Sequence, residues 1–306
     1  MINPEFISDQ LLFSTVRIEA TLADGSKAVG TGFFFTFSFG ERFVPSLITN
    51  RHVVPDNAVE WTIHLHEGVL TDGTNLSPSD QSFPVTIDHY EACWIHARQV
   101  IQPQGERSAV NRLAICHPAG LDLCALPIQP LLEKLEKQTG KHAFYRSLAA
   151  DLIPSEQALE ELTAIEDIIM IGYPIGLWDH TNNMPIVRAG ITASHPALDF
   201  NGRPEGLVDA ACFPGSSGSP ILIFNVGTYF VRPNTLTTGS RALLIGVLYG
   251  GPQFTAEGNI VVRNIPMQAA PIPQLQLPIN LGFYIKAREI RALGDEIKKL
   301  AAAADV

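Results

Sequence analysis

The chain has 306 residues, of which 46% are hydrophobic and 17% are charged. This composition excludes a disordered chain, and the length is sufficient for two packed domains. The formal net charge of −10 argues against a surface that follows nucleic-acid phosphates, so we expect no nucleic-acid partner.

The N-terminus and the cysteines predict the compartment. The segment from Met1 to Phe6 lacks a basic region followed by an apolar stretch, and no apolar run reaches the length of a membrane span. We therefore expect a cytoplasmic protein without a membrane partner. The cysteines have neither metal-site spacing nor a pairing pattern, which predicts buried thiols at Cys93, Cys116, Cys124 and Cys212.

The segment from Lys27 to Ile63 predicts β-strands, because apolar runs alternate with Gly, Pro and Asn turn signals. Phenylalanine recurs at every second position of one strand, at Phe33, Phe35, Phe37 and Phe39. A period of two puts these side chains on one face of the strand, which predicts the aromatic core of a β-barrel.

Two polar residues at the ends of apolar strands are candidate catalytic groups. His52 follows an apolar run that ends near Thr49, and histidine is the usual general base for a serine nucleophile. Asp122 stands at the start of another apolar strand, where an unpaired charge would be costly to bury. A histidine N–H would pair with this carboxylate and fix one tautomer of the ring. A purely structural role for either residue is the alternative interpretation.

A glycine-flanked serine follows in the segment from Phe213 to Pro220. Gly215 allows a turn in which successive N–H groups point into one space, and such a space can hold the oxyanion of an acyl-transfer intermediate. Gly218 removes a side chain that would crowd a substrate beside Ser217. Turns of this composition are also common in ordinary loops, so the serine alone identifies no activity.

The order His52, Asp122, Ser217 is one of the known orders of a serine-protease triad. The surrounding segments resemble the chymotrypsin-fold serine proteases, and most closely the bacterial trypsin-like branch that includes the HtrA/Deg proteases. Gly30–Phe33 resembles that family's Gly-Ser-Gly-Phe strand, and Thr49–Val54 resembles its Thr-Asn-x-His-Val-Val segment. Further segments match in chain order at 121–126, 171–176, 190–194, 209–220 and 281–285.

The resemblance implies an all-β fold with helical insertions, made of two six-stranded antiparallel β-barrels and a C-terminal helix. No PDZ domain is expected. Four units are predicted in chain order: a barrel with His52 and Asp122 over 1–130, a helical connection over 131–166, a barrel with Ser217 over 167–286 and a helix over 287–306.

The same resemblance implies roles for the candidate residues. Ser217 would be the nucleophile, His52 the general base and Asp122 the group that orients the ring. The oxyanion hole would lie at Gly215, Ser216 and Ser217, with the first and the last of these as N–H donors.

A specificity pocket is also implied by the resemblance. Ala211 would form its base, which leaves no buried charge for a Lys or Arg side chain. Its walls would come from Val247, Leu248 and Tyr249. We therefore expect cleavage after small or medium apolar residues.

Ser216 departs from the family, which usually has Asp or Asn at this position. In the digestive members that Asp pairs with a freshly cut N-terminus. A serine cannot make this ion pair, so we expect no activation by N-terminal trimming. No cofactor or metal is expected either, because His64 and His66 could share one side of a strand but have no third ligand at matching spacing.

The sequence thus predicts a bacterial serine endopeptidase that acts on polypeptide substrates. Two alternatives stay open. One is a latent protease that a regulatory protein activates, with the helical connection as a lid or docking surface. The other is a catalytically inactive protease-fold protein that binds peptides, against which the intact His, Asp and Ser segments argue.

Overall fold

The structure is a computed structural model that describes residues 4–55, 57–71, 75–88, 114–233, 235–256, 275–278 and 280–304. It consists of two β-domains and a C-terminal helix. The predicted fold class is therefore confirmed. Cys93 lies outside the described residues.

The first domain begins with a short helix, α1 (Ile7–Leu12), and contains a sheet of nine strands. These are β1 (Thr15–Leu22), β2 (Lys27–Phe39), β3 (Arg42–Thr49), β4 (Ala58–Thr71), β5 (Asn75–Asp88), β6 (Ile115–Cys116), β7 (Cys124–Pro127), β8 (His142–Phe144) and β9 (Leu148–Ala149). Seven of them lie in the order β5-β4-β1-β2-β3-β7-β6, while β8 pairs with β4 and β9 pairs with β2. Every pairing is antiparallel except that of β2 with β9.

The first sheet differs from the predicted six-stranded barrel. In the described part of the chain it has nine strands and does not close on itself. Two of the strands beyond six come from the segment predicted as a helical connection. That segment contains α2 (Gln129–Thr139) and α3 (Glu156–Glu160), but β8 and β9 lie between these helices and extend the first sheet.

The second domain is a closed barrel of six antiparallel strands in the order β10-β11-β12-β17-β14-β13. Its strands are β10 (Asp167–Gly172), β11 (Ile186–Thr192), β12 (Glu205–Asp209), β13 (Pro220–Val231), β14 (Thr235–Gly250) and β17 (Leu281–Lys286). Between the last two, β15 (Gln253–Ala256) and β16 (Leu275–Pro278) form a separate two-stranded sheet.

A shared core joins the two domains. The aromatic stripe of β2 contributes Phe33, Phe35 and Phe37, all buried. Leu293 and Ile297 of the helix α4 (Ile290–Ala304) pack into the same cluster as barrel residues such as Leu222. Because one core contacts both β-domains and the helix, loops from the two domains are held beside each other.

One group of sequence predictions needs correction. Cys124 is buried as predicted, but Cys116 is exposed and Cys212 is only partly buried. Cys116 belongs to the two-residue strand β6 at the edge of the first sheet, where fewer neighbours cover a side chain. In the described residues, no helix combines the length and the apolar character needed to cross a membrane.

Candidate active site

The pairing of β3 with β7 brings His52 and Asp122 together. The two strands are antiparallel, and Thr49 at the end of β3 is opposite Cys124 at the start of β7. The residues that follow β3 therefore lie beside those that precede β7. His52 is in a short 3-10 helix, Arg51–Val53, that starts directly after this strand.

His52 and Asp122 are joined by two hydrogen bonds. The imidazole Nδ1 lies 2.5 Å from the Asp122 Oδ2, and the His52 backbone N–H donates to the Asp122 Oδ1 at 3.0 Å. The Asn50 side-chain amide also donates to the Asp122 backbone carbonyl at 2.7 Å. The bond at Nδ1 leaves Nε2 of the ring as the atom that can exchange a proton with a substrate group.

Opposing effects act on the pKa of Asp122. Burial by itself would raise this pKa, but the hydrogen bonds from His52 and its charge outweigh burial and hold the pKa below its ordinary value of 3.8. The carboxylate is thus ionised at neutral pH and is matched to a ring that becomes positively charged.

Ser217 is in the loop between β12 and β13 of the barrel, yet it is bonded to the first domain. Thr31 of β2 donates its backbone N–H to the Ser217 carbonyl at 2.8 Å. The Thr49 hydroxyl, three residues before His52, donates to the Thr31 carbonyl at 2.7 Å. The serine loop and the histidine segment are therefore tied to the same residue of β2.

The turn before Ser217 has the features of a type II β-turn. The Ser216 N–H donates to the Phe213 carbonyl at 3.0 Å, and Gly215, the third residue of the turn, has φ +86°. Type II turns need a positive φ at this third position and favour proline at the second, where Pro214 stands. The sequence Pro-Gly therefore selects this turn over type I.

Two N–H groups remain unused beside this turn. In the described part of the chain, the N–H groups of Gly215 and Ser217 donate no hydrogen bond to protein. Unpaired amide donors of this kind can bind a developing oxyanion. Ser216 was predicted within the same hole, but its N–H is already used to close the turn, so it is not an available donor.

The side chain of Ser217 points to a carbonyl group. Its hydroxyl donates to the Tyr249 carbonyl at 3.4 Å. Among the described residues it makes no hydrogen bond to His52, so the structure brings His52 and Asp122 into contact but leaves the third predicted member bonded elsewhere.

The residues of the predicted pocket divide into two groups. Ala211 and Tyr249 are partly exposed near the serine loop. Leu248 was predicted as a pocket wall, but it is buried in the core of the second barrel, where it lies next to Gly282. The Cys212 thiol contacts the same glycine. Burial raises the pKa of Cys212 to about 11, so the thiol is neutral. Ala211 and Cys212 are thus uncharged side chains, although the charged Arg188 guanidinium donates to the Ala211 carbonyl.

Val247 was predicted as a pocket wall, and this prediction needs correction. It is fully buried in the core that joins the two domains. Alternate residues of a strand point to opposite faces, so Val247 and its neighbour Leu248 cannot share one wall. Tyr249 keeps its phenol protonated, because burial and then the neighbouring Glu205 raise its pKa to about 12.

Thr31 is a site residue that the sequence interpretation missed. It is fully buried, and its hydroxyl donates to the Gly215 carbonyl at 3.0 Å and accepts from the Tyr173 N–H at 3.1 Å. The available signal is its place between Gly30 and Gly32, two glycines on one strand. A Cβ at either glycine would collide with first-domain side chains, Val53 at Gly30 and Leu47 at Gly32, so the strand around Thr31 is tightly packed.

His64 and His66, the histidine pair of β4, both lie beside aromatic rings. His66 is buried against the Phe13 ring, and burial lowers its pKa to about 4. His64 lies 5.8 Å from the Trp178 ring, measured between ring centroids. The described residues contain no group of three or more His, Cys, Asp or Glu side chains that could hold a metal ion.

Among known proteins, the chain is similar to solved structures of proteases. No protein-family model matches the chain, and no curated protein matches it either. Similar solved structures include the HtrA-type protease AlgW with a tripeptide, at 14% identity and a TM-score of 0.44, covering 94% of this chain and 60% of that one. A serine endoprotease from Yersinia pestis is 12% identical, with a TM-score of 0.42 and coverage of 94% and 63%.

A third similar structure is the protease Anisep from Arthrobacter nicotinovorans. It is 12% identical, with a TM-score of 0.42, and the match covers 90% of each chain. This chain therefore spans less than two thirds of AlgW and of the Yersinia endoprotease, but most of Anisep. At these low identities and TM-scores, the function proposed below depends on the geometry of the site.

The pairing of Asp122 with His52 predicts a pH-dependent stability. Because the pKa of Asp122 is lower in the folded chain, its stabilising contribution is complete above about pH 5 and is lost as the pH falls through the folded-state pKa. We expect Asp122→Asn to lower the urea-unfolding free energy at pH 7, and the difference from wild type to shrink toward pH 3. Asp151→Asn, at an exposed carboxylate, is the control. A difference that stays constant with pH would contradict this assignment.

The two hydrogen bonds of the Thr31 hydroxyl predict that its removal lowers the stability of the fold. Thr31→Val would leave the Gly215 carbonyl and the Tyr173 N–H without this partner, at a cost of about 1–3 kcal/mol in unfolding free energy. The same change at Thr62, whose hydroxyl bonds to that of Thr86 and to no other described residue, is the matched control and should cost less. Chemical denaturation of both variants measures the difference, and equal losses would show that the Thr31 bonds have no special weight.

Proposed function

We propose that the chain is a serine endopeptidase that hydrolyses peptide bonds through an acyl-enzyme. The observation that carries this proposal is the contact between His52 Nδ1 and Asp122 Oδ2, beside a serine loop with two unpaired N–H groups. An oriented imidazole, a nearby hydroxyl and free amide donors are the parts that acyl transfer needs.

Acylation would begin with rotation of the Ser217 hydroxyl from the Tyr249 carbonyl toward His52. As the oxygen bonds to the substrate carbonyl carbon, its proton passes to His52 Nε2. The tetrahedral oxyanion would accept hydrogen bonds from the N–H groups of Gly215 and Ser217. His52 then gives the proton to the leaving amine, the C–N bond breaks, and the acyl group stays on Ser217.

Deacylation repeats these steps with water. His52 takes a proton from water as the water oxygen bonds to the acyl carbon. The tetrahedral intermediate then collapses by breaking the bond between that carbon and the Ser217 oxygen, which takes the proton back from His52, and the acid product leaves. Asp122 remains ionised throughout and stabilises the positively charged ring, which agrees with its lowered pKa.

Labelling with a fluorophosphonate probe tests this mechanism. We expect the wild type to be labelled and Ser217→Ala to be unlabelled, because the reacting oxygen is gone. His52→Ala should also lose labelling, since the hydroxyl then has no general base. Asp122→Asn should slow peptide hydrolysis by roughly 10⁴-fold, because the ring loses its orientation and its charge partner. Labelling that survives in Ser217→Ala would contradict the proposed nucleophile.

We expect a preference for small or apolar residues before the cleaved bond, because Ala211 and Cys212 offer no acidic side chain to pair with a Lys or Arg. A peptide library with one varied position measures this preference. Cleavage after Arg or Lys would overturn the pocket assignment. Cleavage after Asp or Glu would also overturn it, and would indicate a positive charge within reach of the substrate.

A partner-activated latent protease is the second candidate. The observation that favours it is the hydrogen bond of Ser217 to the Tyr249 carbonyl, because among the described residues the hydroxyl makes this bond and none to His52. In that case the folded wild type would react slowly with the probe, and cell extract would accelerate labelling. No labelling under either condition would favour an inactive peptide-binding protein.

A further inference from the structure

Arg188 contacts the serine loop, and the role inferred for it rests on the proposed function. Arg188 is on β11, and the hydroxyl it contacts belongs to Ser216, the residue that replaces the acidic group of the digestive proteases. Ser216 is fully buried beneath the turn that precedes Ser217. The contacts of Ser216 therefore restrain the conformation of that turn.

Arg188 binds both ends of the serine loop. Its Nη1 donates to the Ser216 hydroxyl oxygen at 2.9 Å and also to the Ala211 carbonyl. Ala211 lies two residues before the turn from Phe213 to Ser216, and Ser216 is its last residue. One guanidinium group therefore links the chain that enters the turn to the end of the turn.

Arg188 is half-buried, and its guanidinium has no carboxylate partner in the described part of the chain. Its Nε and Nη2 are buried without a hydrogen-bond partner there. Burial lowers the pKa of Arg188, but arginine stays charged in proteins. A group that is costly to bury and is bonded only to this loop is poorly explained by fold stability alone.

The remaining groups of the turn are fixed from other directions. The Ile175 N–H donates to the Pro214 carbonyl at 2.5 Å, and the Thr31 hydroxyl donates to the Gly215 carbonyl at 3.0 Å. Rotation of the peptide between Pro214 and Gly215 would convert the turn to type I and reverse the direction of the Gly215 N–H. Restraint at both ends opposes that rotation.

We propose that Arg188 is a positioning residue that holds the oxyanion turn in its active conformation. It supplies from within the chain the positive charge that a newly cut N-terminus supplies in the digestive proteases. The turn is therefore formed without proteolytic processing, and Ser216 replaces an acidic residue because a neutral hydroxyl is enough to accept a bond from a cation.

The first test replaces Arg188 by methionine, which keeps an unbranched side chain of similar length but donates no hydrogen bond. We expect kcat for a peptide substrate to fall by about 10²-fold, as when an oxyanion donor is removed, with KM little changed. Arg188→Lys should be intermediate, since one ammonium keeps the charge but not the fixed geometry of the two bonds. Arg291→Met, at an exposed arginine of α4, is the matched control and should keep wild-type kcat.

Chemical rescue separates positioning from a general effect on folding. Millimolar guanidinium should restore part of kcat to Arg188→Ala and none to Ser217→Ala. A thermal melt of each variant checks that it is folded. If Arg188→Ala does not fold, Ser216→Ala serves instead, because it removes the acceptor and should also lower kcat without raising KM.

The outcomes distinguish this inference from the proposed function. A folded wild type that never reacts with the fluorophosphonate probe, alone or with cell extract, would overturn the proposed function. A reactive wild type with an equally reactive Arg188→Met would overturn only the role of Arg188. A chain extended by several residues before Met1 should react at the wild-type rate, and loss of activity there would show that a free N-terminus is needed.

Discussion

The geometry of the proposed site depends on one buried residue, Thr31. Its N–H, hydroxyl and carbonyl bond to Ser217, Gly215 and Thr49 respectively, so all three of its polar groups link the serine loop to the histidine segment. Buried amide and hydroxyl groups must be paired, which makes this arrangement costly to distort. The two segments of the site, which come from different domains, are therefore both held by hydrogen bonds to one strand, β2.

The same contact explains why glycine stands at position 218. A Cβ there would collide with the Thr31 carbonyl, and φ at this residue is +87°, a region that favours glycine. Close approach of the two backbones thus requires Gly218, while the turn before it requires Gly215. At both glycines around Ser217, a positive φ and a nearby backbone carbonyl exclude a side chain: a Cβ at Gly215 would lie 2.6 Å from the Tyr173 carbonyl oxygen.

The predicted fold and the predicted acid–base pair could be obtained from the sequence because they are local or strongly patterned. The alternation of Phe33, Phe35 and Phe37 predicted a buried strand face, and all three side chains are buried. His52 and Asp122 each stood at a strand end, and antiparallel pairing brought those ends together. The strands that β8 and β9 add to the first sheet could not be obtained this way. Strands of two or three residues, such as β8 and β9, have no periodicity to detect, so the segment 131–166 was interpreted as helical.

By itself, the sequence determined the all-β class, the final helix and the residue types that a serine protease needs, because motifs and periodicity are properties of neighbouring residues. The tertiary structure alone decided which groups meet across domains. It paired Arg188 with Ser216, turned the Ser217 hydroxyl to Tyr249 and buried Val247 in the shared core. Contacts between residues far apart in the chain depend on register and packing, which no single segment encodes.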